Sequence, residues 1–161
     1  HRADDIFTAL RIAREFDINI TLEHCTEGHL IADYLKEENV PVMVGPILSD
    51  RSKIELKNLT LKTPGILAKQ GLSVAIITDH PEIPIQYLSL CAALAVREGM
   101  EETEALKAIT INAAKNCGIS DKVGSLEVGK DADIGIFDLN PLDFRSKAKY
   151  VIINGRIVHK A

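Results

Sequence analysis

The feature that most constrains this chain is the run Ser73-Val74-Ala75-Ile76-Ile77-Thr78, which is apolar on both faces of any strand it forms. A strand without a polar face must be covered on both sides, as in a parallel sheet flanked by helices. The neighbouring segments agree with that setting. Residues 18–24 are rich in β-branched side chains and read as a strand, and 40–44 read as another, closed by Gly45-Pro46. Over 3–16, Ile6, Leu10 and Ala13, with Ala9 and Phe16, recur at helical spacing, and Arg11, Arg14 and Glu15 fall outside. Asp4 and Asp5 lie near its start, where the helix dipole favours acids. A second helix is predicted over 27–38, with Leu30, Ile31, Tyr34 and Leu35 on one face. A short third helix is predicted with Thr63 as N-cap, Pro64 at the first helical position and Gly71 closing it. Two more helices are predicted over about 84–98 and 102–116. This alternation implies βαβ units and a parallel sheet of three strands, or four if the residues around His1 form one.

From Gly118 the helical pattern stops. Residues 123–133 are turn-rich, 134–138 and 150–153 read as strands, and Asn154-Gly155 is a hairpin signal returning through 156–158. The division expected is therefore an α/β part over 1–117 and a small antiparallel β unit over 118–161. The polar stretch 49–60 is a long loop, a length that often carries function. Gly124, Gly129 and Gly135 lack the spacing of a phosphate-binding loop.

A chain of 161 residues is one domain's worth, and its 46% hydrophobic and 26% charged content suffices for a packed core. With 4% aromatics and no Trp, that core must be aliphatic. A net charge of −4 argues against nucleic acid or an anionic membrane as a charge-driven partner. No apolar run approaches the roughly 20 residues of a membrane span. Three cysteines at 25, 91 and 117 make neither a disulfide framework nor a CxxC site, so reduced thiols in a cytoplasmic protein are expected. The abrupt start at His1 reads as a cut through a larger protein.

Candidate chemistry collects at strand ends. Glu23-His24 closes the first strand, Thr78-Asp79-His80 closes the third, and His1 precedes the first helix. In parallel α/β folds the carboxyl ends of strands face the shared site. Imidazole and carboxylate there suit zinc, iron or manganese, and an Asp beside a metal-bound water can take its proton. Each residue also has a plainer reading. His24 alone at a strand end is more often a hydrogen-bonded structural residue than a ligand. Asp79 could cap the turn that follows. His29 would ordinarily be a surface or half-buried helix residue, Cys25 a small buried filler, and the Glu101-Glu102-Thr103-Glu104 run a solvated helix start. His159 is given no role.

Together with the tail, these residues resemble the C-terminal half of the amidohydrolase superfamily, near imidazolonepropionase-like enzymes. The resemblance is carried by Asn112-Ala113-Ala114-Lys115, by the run from Val123 to Ile134, and by Val151-Ile152-Ile153-Asn154-Gly155-Arg156, with Glu23-His24 and Thr78-Asp79-His80 in order before them. It implies strands five to eight of a TIM-like (β/α)8 barrel, plus a β unit from a small composite β-sandwich. It implies that His24 matches the sixth-strand metal ligand, that Asp79 matches the eighth-strand ligand and proton acceptor, and that His1 lies near the fifth-strand ligand. His80 and His29 become candidates for substrate or outer-sphere contacts, and Ser49, Arg51 and Lys53 for meeting a substrate anion. The implied reaction is hydrolysis of a cyclic or linear C–N bond by water on a divalent metal, zinc with iron or manganese as alternatives. The implied partners are a small-molecule amide and either a second copy or the missing N-terminal half, without which the fragment is expected to be inactive. The competing reading is a non-catalytic ligand-binding or structural α/β domain that has lost the metal chemistry.

Overall fold

A computed structural model describes all residues from His1 to Ala161. Its first half alternates as the sequence predicts: α1 (Ala3–Glu15), β1 (Leu22–His24), α2 (Ala32–Glu38), β2 (Val42–Val44), α3 (Thr63–Lys69) and β3 (Val74–Ile76). The strands form an open parallel sheet in the order β1-β2-β3. His24, Val44 and Ile76 are in register across it. Val74, Ala75 and Ile76 are all buried, as expected of a strand covered on both faces. The residues around His1 do not form a fourth strand; the carbonyl of His1 instead accepts the Glu27 amide at 3.0 Å.

Helices then take over: α4 (Leu88–Arg97), α5 (Glu102–Ala108) and α6 (Ile111–Asn116). The single helix predicted over 102–116 is broken. Ile109, Thr110 and Ile111 are three β-branched residues in a row, Thr110 leaves helical geometry at φ −134° and ψ −98°, and its hydroxyl donates to the Leu106 carbonyl at 2.7 Å. The helix predicted over 27–38 is also divided, with a 3₁₀ turn at Gly28–Ile31 before α2. Thr63 is the first residue of α3 and not its cap, because its hydroxyl is hydrogen-bonded to His29 at 3.0 Å; Pro64 is therefore the second helical residue. Glu101 does cap α5, its carboxylate accepting the Glu104 amide at 2.9 Å.

The core is aliphatic. Leu35, Leu67, Val42, Val44 and Val74 are fully enclosed, and α1 contributes Ile6 and Leu10. Each such side chain stabilises by about 1.5–3 kcal/mol on burial. Below the sheet, α6 is pinned by two amides. The Asn112 side chain donates to the Val74 carbonyl at 3.1 Å, and Asn116 donates to Val42 at 3.0 Å and to Ser73 at 3.3 Å. These tie the helix to main-chain carbonyls of the sheet, the Ser73 carbonyl also taking the Val42 amide at 3.1 Å.

The tail forms a separate antiparallel sheet, β4 (Ile134–Phe137), β5 (Ala148–Ile153) and β6 (Arg156–Lys160), in sequence order. Asn154 and Gly155 both have positive φ, 48° and 74°, as a two-residue hairpin requires. His159 is exposed on β6.

Candidate active site

Parallel strands in register present their carboxyl ends along one edge, and that edge gathers most of the candidate residues. His24 ends β1, Gly45-Pro46 follows β2, and Thr78-Asp79-His80 follows β3. The backbone there is unusual: His24, Cys25 and Asp79 have φ of 66°, 46° and 51°. Asp and His are among the residues that enter this left-handed region more readily, whereas for Cys it costs on the order of 1–2 kcal/mol. Surrounding contacts must hold it in place. Cys25 is completely enclosed, and its amide bonds the Glu23 carbonyl at 2.9 Å.

His1 and His24 are brought together. Their rings stack at a centroid distance of 4.5 Å and an interplanar angle of 23°. His24 Nδ1 lies 2.8 Å from the Gly45 carbonyl. A carbonyl only accepts, so Nδ1 must carry the proton, and in neutral His24 the lone pair is left on Nε2. That is the arrangement of a metal-ligating histidine whose other nitrogen is fixed by the protein. His1 Nδ1 is likewise engaged, 2.8 Å from the Thr26 hydroxyl.

His80 has the opposite polarity. Its Nδ1 accepts the Ile85 amide at 3.3 Å, so in the neutral ring the proton sits on Nε2 and is offered as a donor. His80 and Asp79 are both exposed. His29 is half-buried, with Nδ1 3.2 Å from the Thr26 carbonyl and 3.0 Å from the Thr63 hydroxyl. Burial pushes its pKa down and favours the neutral ring. Two strand spacings, about 10 Å, separate β1 from β3, and no three His, Cys, Asp or Glu side chains converge closely enough to hold a metal. The histidine pair is assembled, and Asp79 does not complete a three-residue cluster with it in this chain.

The 49–60 loop contains a 3₁₀ turn at Ile54–Leu56. Arg51 turns its guanidinium inward to the Leu59 carbonyl at 2.6 Å, while Lys53 is exposed. Ser49, Asp50, Arg51 and Leu59 line a shallow depression with Glu98, which follows the end of α4.

Residues not singled out from sequence complete the surroundings. Thr26 and Glu27 are buried, although a polar pair after a strand usually marks a solvated turn. The Glu27 carboxylate accepts the Ala3 amide and the Asn58 side chain, each at 2.8 Å. The Ala3 bond, with Asn58 adding to it, holds its pKa below the ordinary Glu value against the opposing effect of burial. Gly45 is required by close approach: a Cβ there would lie 2.0 Å from the Ile77 carbonyl oxygen. The available signal was the short polar run Thr26-Glu27-Gly28-His29 between two apolar segments.

The amidohydrolase family profile matches residues 6–158. The fold superposes on an amidohydrolase structure from Thermotoga maritima with a TM-score of 0.96 and 45% identity, covering 100% of this chain and 42% of that one. An imidazolonepropionase from Brevibacillus brevis is 43% identical over 98 residues, 55% of this chain and 23% of its own length. A zinc-bound adenosine deaminase structure from Xanthomonas campestris shares the fold, with a TM-score of 0.66 and 24% identity, covering 91% of this chain and 39% of that one. The chain thus spans less than half the length of these relatives. The profile match over nearly its whole length shows that it belongs to the amidohydrolase family.

Proposed function

We propose that this chain supplies the C-terminal half of a metal-dependent amidohydrolase, the stretch from the end of strand five to strand eight of a TIM-like barrel, in which β1, β2 and β3 are strands six to eight, and part of a small β-sandwich, acting on a cyclic or linear C–N bond. The observation that carries the reading is the stacked His1–His24 pair, with His24 Nδ1 committed to the Gly45 carbonyl and Nε2 left as a lone-pair donor. Such donors fit a divalent metal, zinc with iron or manganese as alternatives. Two imidazoles are one short of the three protein ligands usual for catalytic zinc, so a further ligand comes from Asp79 or from another part of the protein. When bound, the metal supplies a water of lowered pKa and polarises the scissile carbonyl.

The remaining chemistry falls to this chain's own groups. His1 and His24 hold the metal through ring nitrogens. The Asp79 carboxylate takes the proton of the attacking water and passes it to the leaving nitrogen, for which its exposed position leaves room. His80 offers Nε2–H to a substrate oxygen, as its bond from Ile85 dictates. The chain spans 42% of the Thermotoga maritima structure, so we assign hydrolysis to the assembled barrel and expect the isolated chain to be inactive.

Native mass spectrometry of the chain, with and without a chelator, tests the first step. One chelator-sensitive zinc per chain or per associated pair is expected, and its loss in His24→Ala; a chain that stays metal-free with millimolar zinc refutes the paired-imidazole site. In the full-length protein, Asp79→Asn should lower kcat by about 10²–10⁴. Unchanged hydrolysis removes Asp79 as the base and favours a non-catalytic ligand-binding domain.

A further inference from the structure

The histidine pair is tied to the rest of this chain by the residues that follow β1. His1 lies outside both sheets, and its ring position is set by contacts with residues 26 and 27. Thr26 Oγ1 bonds His1 Nδ1 at 2.8 Å. The Glu27 amide donates to the His1 carbonyl at 3.0 Å, and the Glu27 carboxylate takes the Ala3 amide at 2.8 Å. Ala3 is the first residue of α1, so its amide is one of the free donors at a helix start, and a carboxylate there also meets the positive end of the helix dipole. The second carboxylate oxygen takes the Asn58 side chain at 2.8 Å.

Glu27 is only 7% exposed and forms no salt bridge with a Lys or Arg. A carboxylate so placed is costly unless its hydrogen bonds are kept. The carboxylate's two bonds reach the start of α1 and the 49–60 loop, and the Glu27 backbone amide reaches the His1 carbonyl. Glu27 is itself three residues beyond His24. We infer that Glu27 is the positioning residue of the histidine pair: it clamps the His1–Ala3 segment so that the His1 ring is held against His24, and through Asn58 it ties the 49–60 loop to the same point. This rests on the proposed metal site only for its consequence in activity; the clamp itself is a statement about ring geometry.

Two variants test it in the whole chain. Glu27→Gln retains size but replaces one carboxylate oxygen by an NH2 donor, so one of the two donors, Ala3 or Asn58, which lie on different oxygens, loses its acceptor. Ala3→Pro deletes only the donated amide, at a first helical position where Pro is tolerated and after Arg2, whose ψ of 150° suits a following Pro. In the wild type, NMR should show nuclear Overhauser contacts between the His1 and His24 ring protons. Both variants, examined well below their melting temperatures and with wild-type circular dichroism, should lose most of that intensity and bind zinc about 10-fold more weakly or worse. Ring contacts preserved in folded Ala3→Pro overturn the clamp, even if Glu27→Gln fails to fold. Wild type that shows the ring contacts but binds no zinc leaves the clamp standing and overturns the metal reading.

Discussion

Cys25 and Gly28 show how tightly the ground beneath the site is filled. A Cβ on Gly28 would lie 2.5 Å from Cys25 Sγ and 3.3 Å from a Leu67 methyl. Gly28→Ala should therefore destabilise the chain by about 1–3 kcal/mol, as overpacking does, read as a fall in the denaturant midpoint. The Cys25 thiol is fully enclosed, and burial pushes its pKa up to about 11. Cys91 is enclosed as well, and its pKa is also raised by burial, whereas Cys117 is exposed. At pH 8 a thiol reagent should label Cys117 and spare the other two until denaturant is added; rapid modification of Cys25 in the native chain would contradict its placement. Glu27 adds a pH dependence. Its folded pKa lies below the ordinary Glu value, so its stabilising contribution is complete above that ordinary value and is lost as pH falls through the folded one. Glu27→Gln should flatten this acid limb in thermal melts as pH is lowered below the ordinary Glu value.

The elements themselves were largely legible, because burial on both faces and helical periodicity are local signals. The strand at 73–78 and the hairpin at Asn154-Gly155 were both readable. Two of the failures trace to threonine hydroxyls whose partners the apolar spacing does not reveal. Its type and its Pro neighbour mark Thr63 as a cap, but its hydroxyl serves His29 from the 3₁₀ turn. The 102–116 helix was read as continuous because apolar spacing passes through Thr110, while that hydroxyl bonds its own turn. His24 and Asp79 were visible as strand-end residues. Glu27 and Thr26 were not, since their burial depends on His1 and Asn58, which are distant in sequence. Among tertiary ties, Asn116 is the clearest to test. Asn116→Ala removes donors to two strand carbonyls and an acceptor for the Ser73 hydroxyl. The expected loss is about 1–3 kcal/mol, seen as a lower Tm with unchanged zinc binding, since α6 packs at the opposite end of the strands.

At the scale of the molecule, surface and core are out of proportion. The accessible surface is 9659 Å², whereas a compact monomer of 17.6 kDa should expose about 7,900 Å². The tail sheet leaves Ile136, Phe137, Ile153, Ile157 and Val158 exposed, and around α1 Phe7, Ile12, Phe16 and Ile18 are uncovered. No helix is long and apolar enough to cross a membrane, so these faces do not form a spanning helix. Patches of this kind mark association. Sedimentation should show concentration-dependent self-association of the isolated chain, with Phe16→Glu and Ile18→Glu together shifting it toward monomer; a strictly monomeric wild type at high concentration would count against it.

The excess of about 1,700 Å² relative to the compact-monomer value has a consequence for engineering. Counted on both partners, it corresponds to a contact of roughly 3,400 Å², within the range of obligate complexes. A covering piece of matching shape would then need no peptide link to stay in place. Produced as a separate polypeptide, the rest of such a barrel should recombine with this one, and the pair would behave as a split reporter whose signal appears only when the two halves meet.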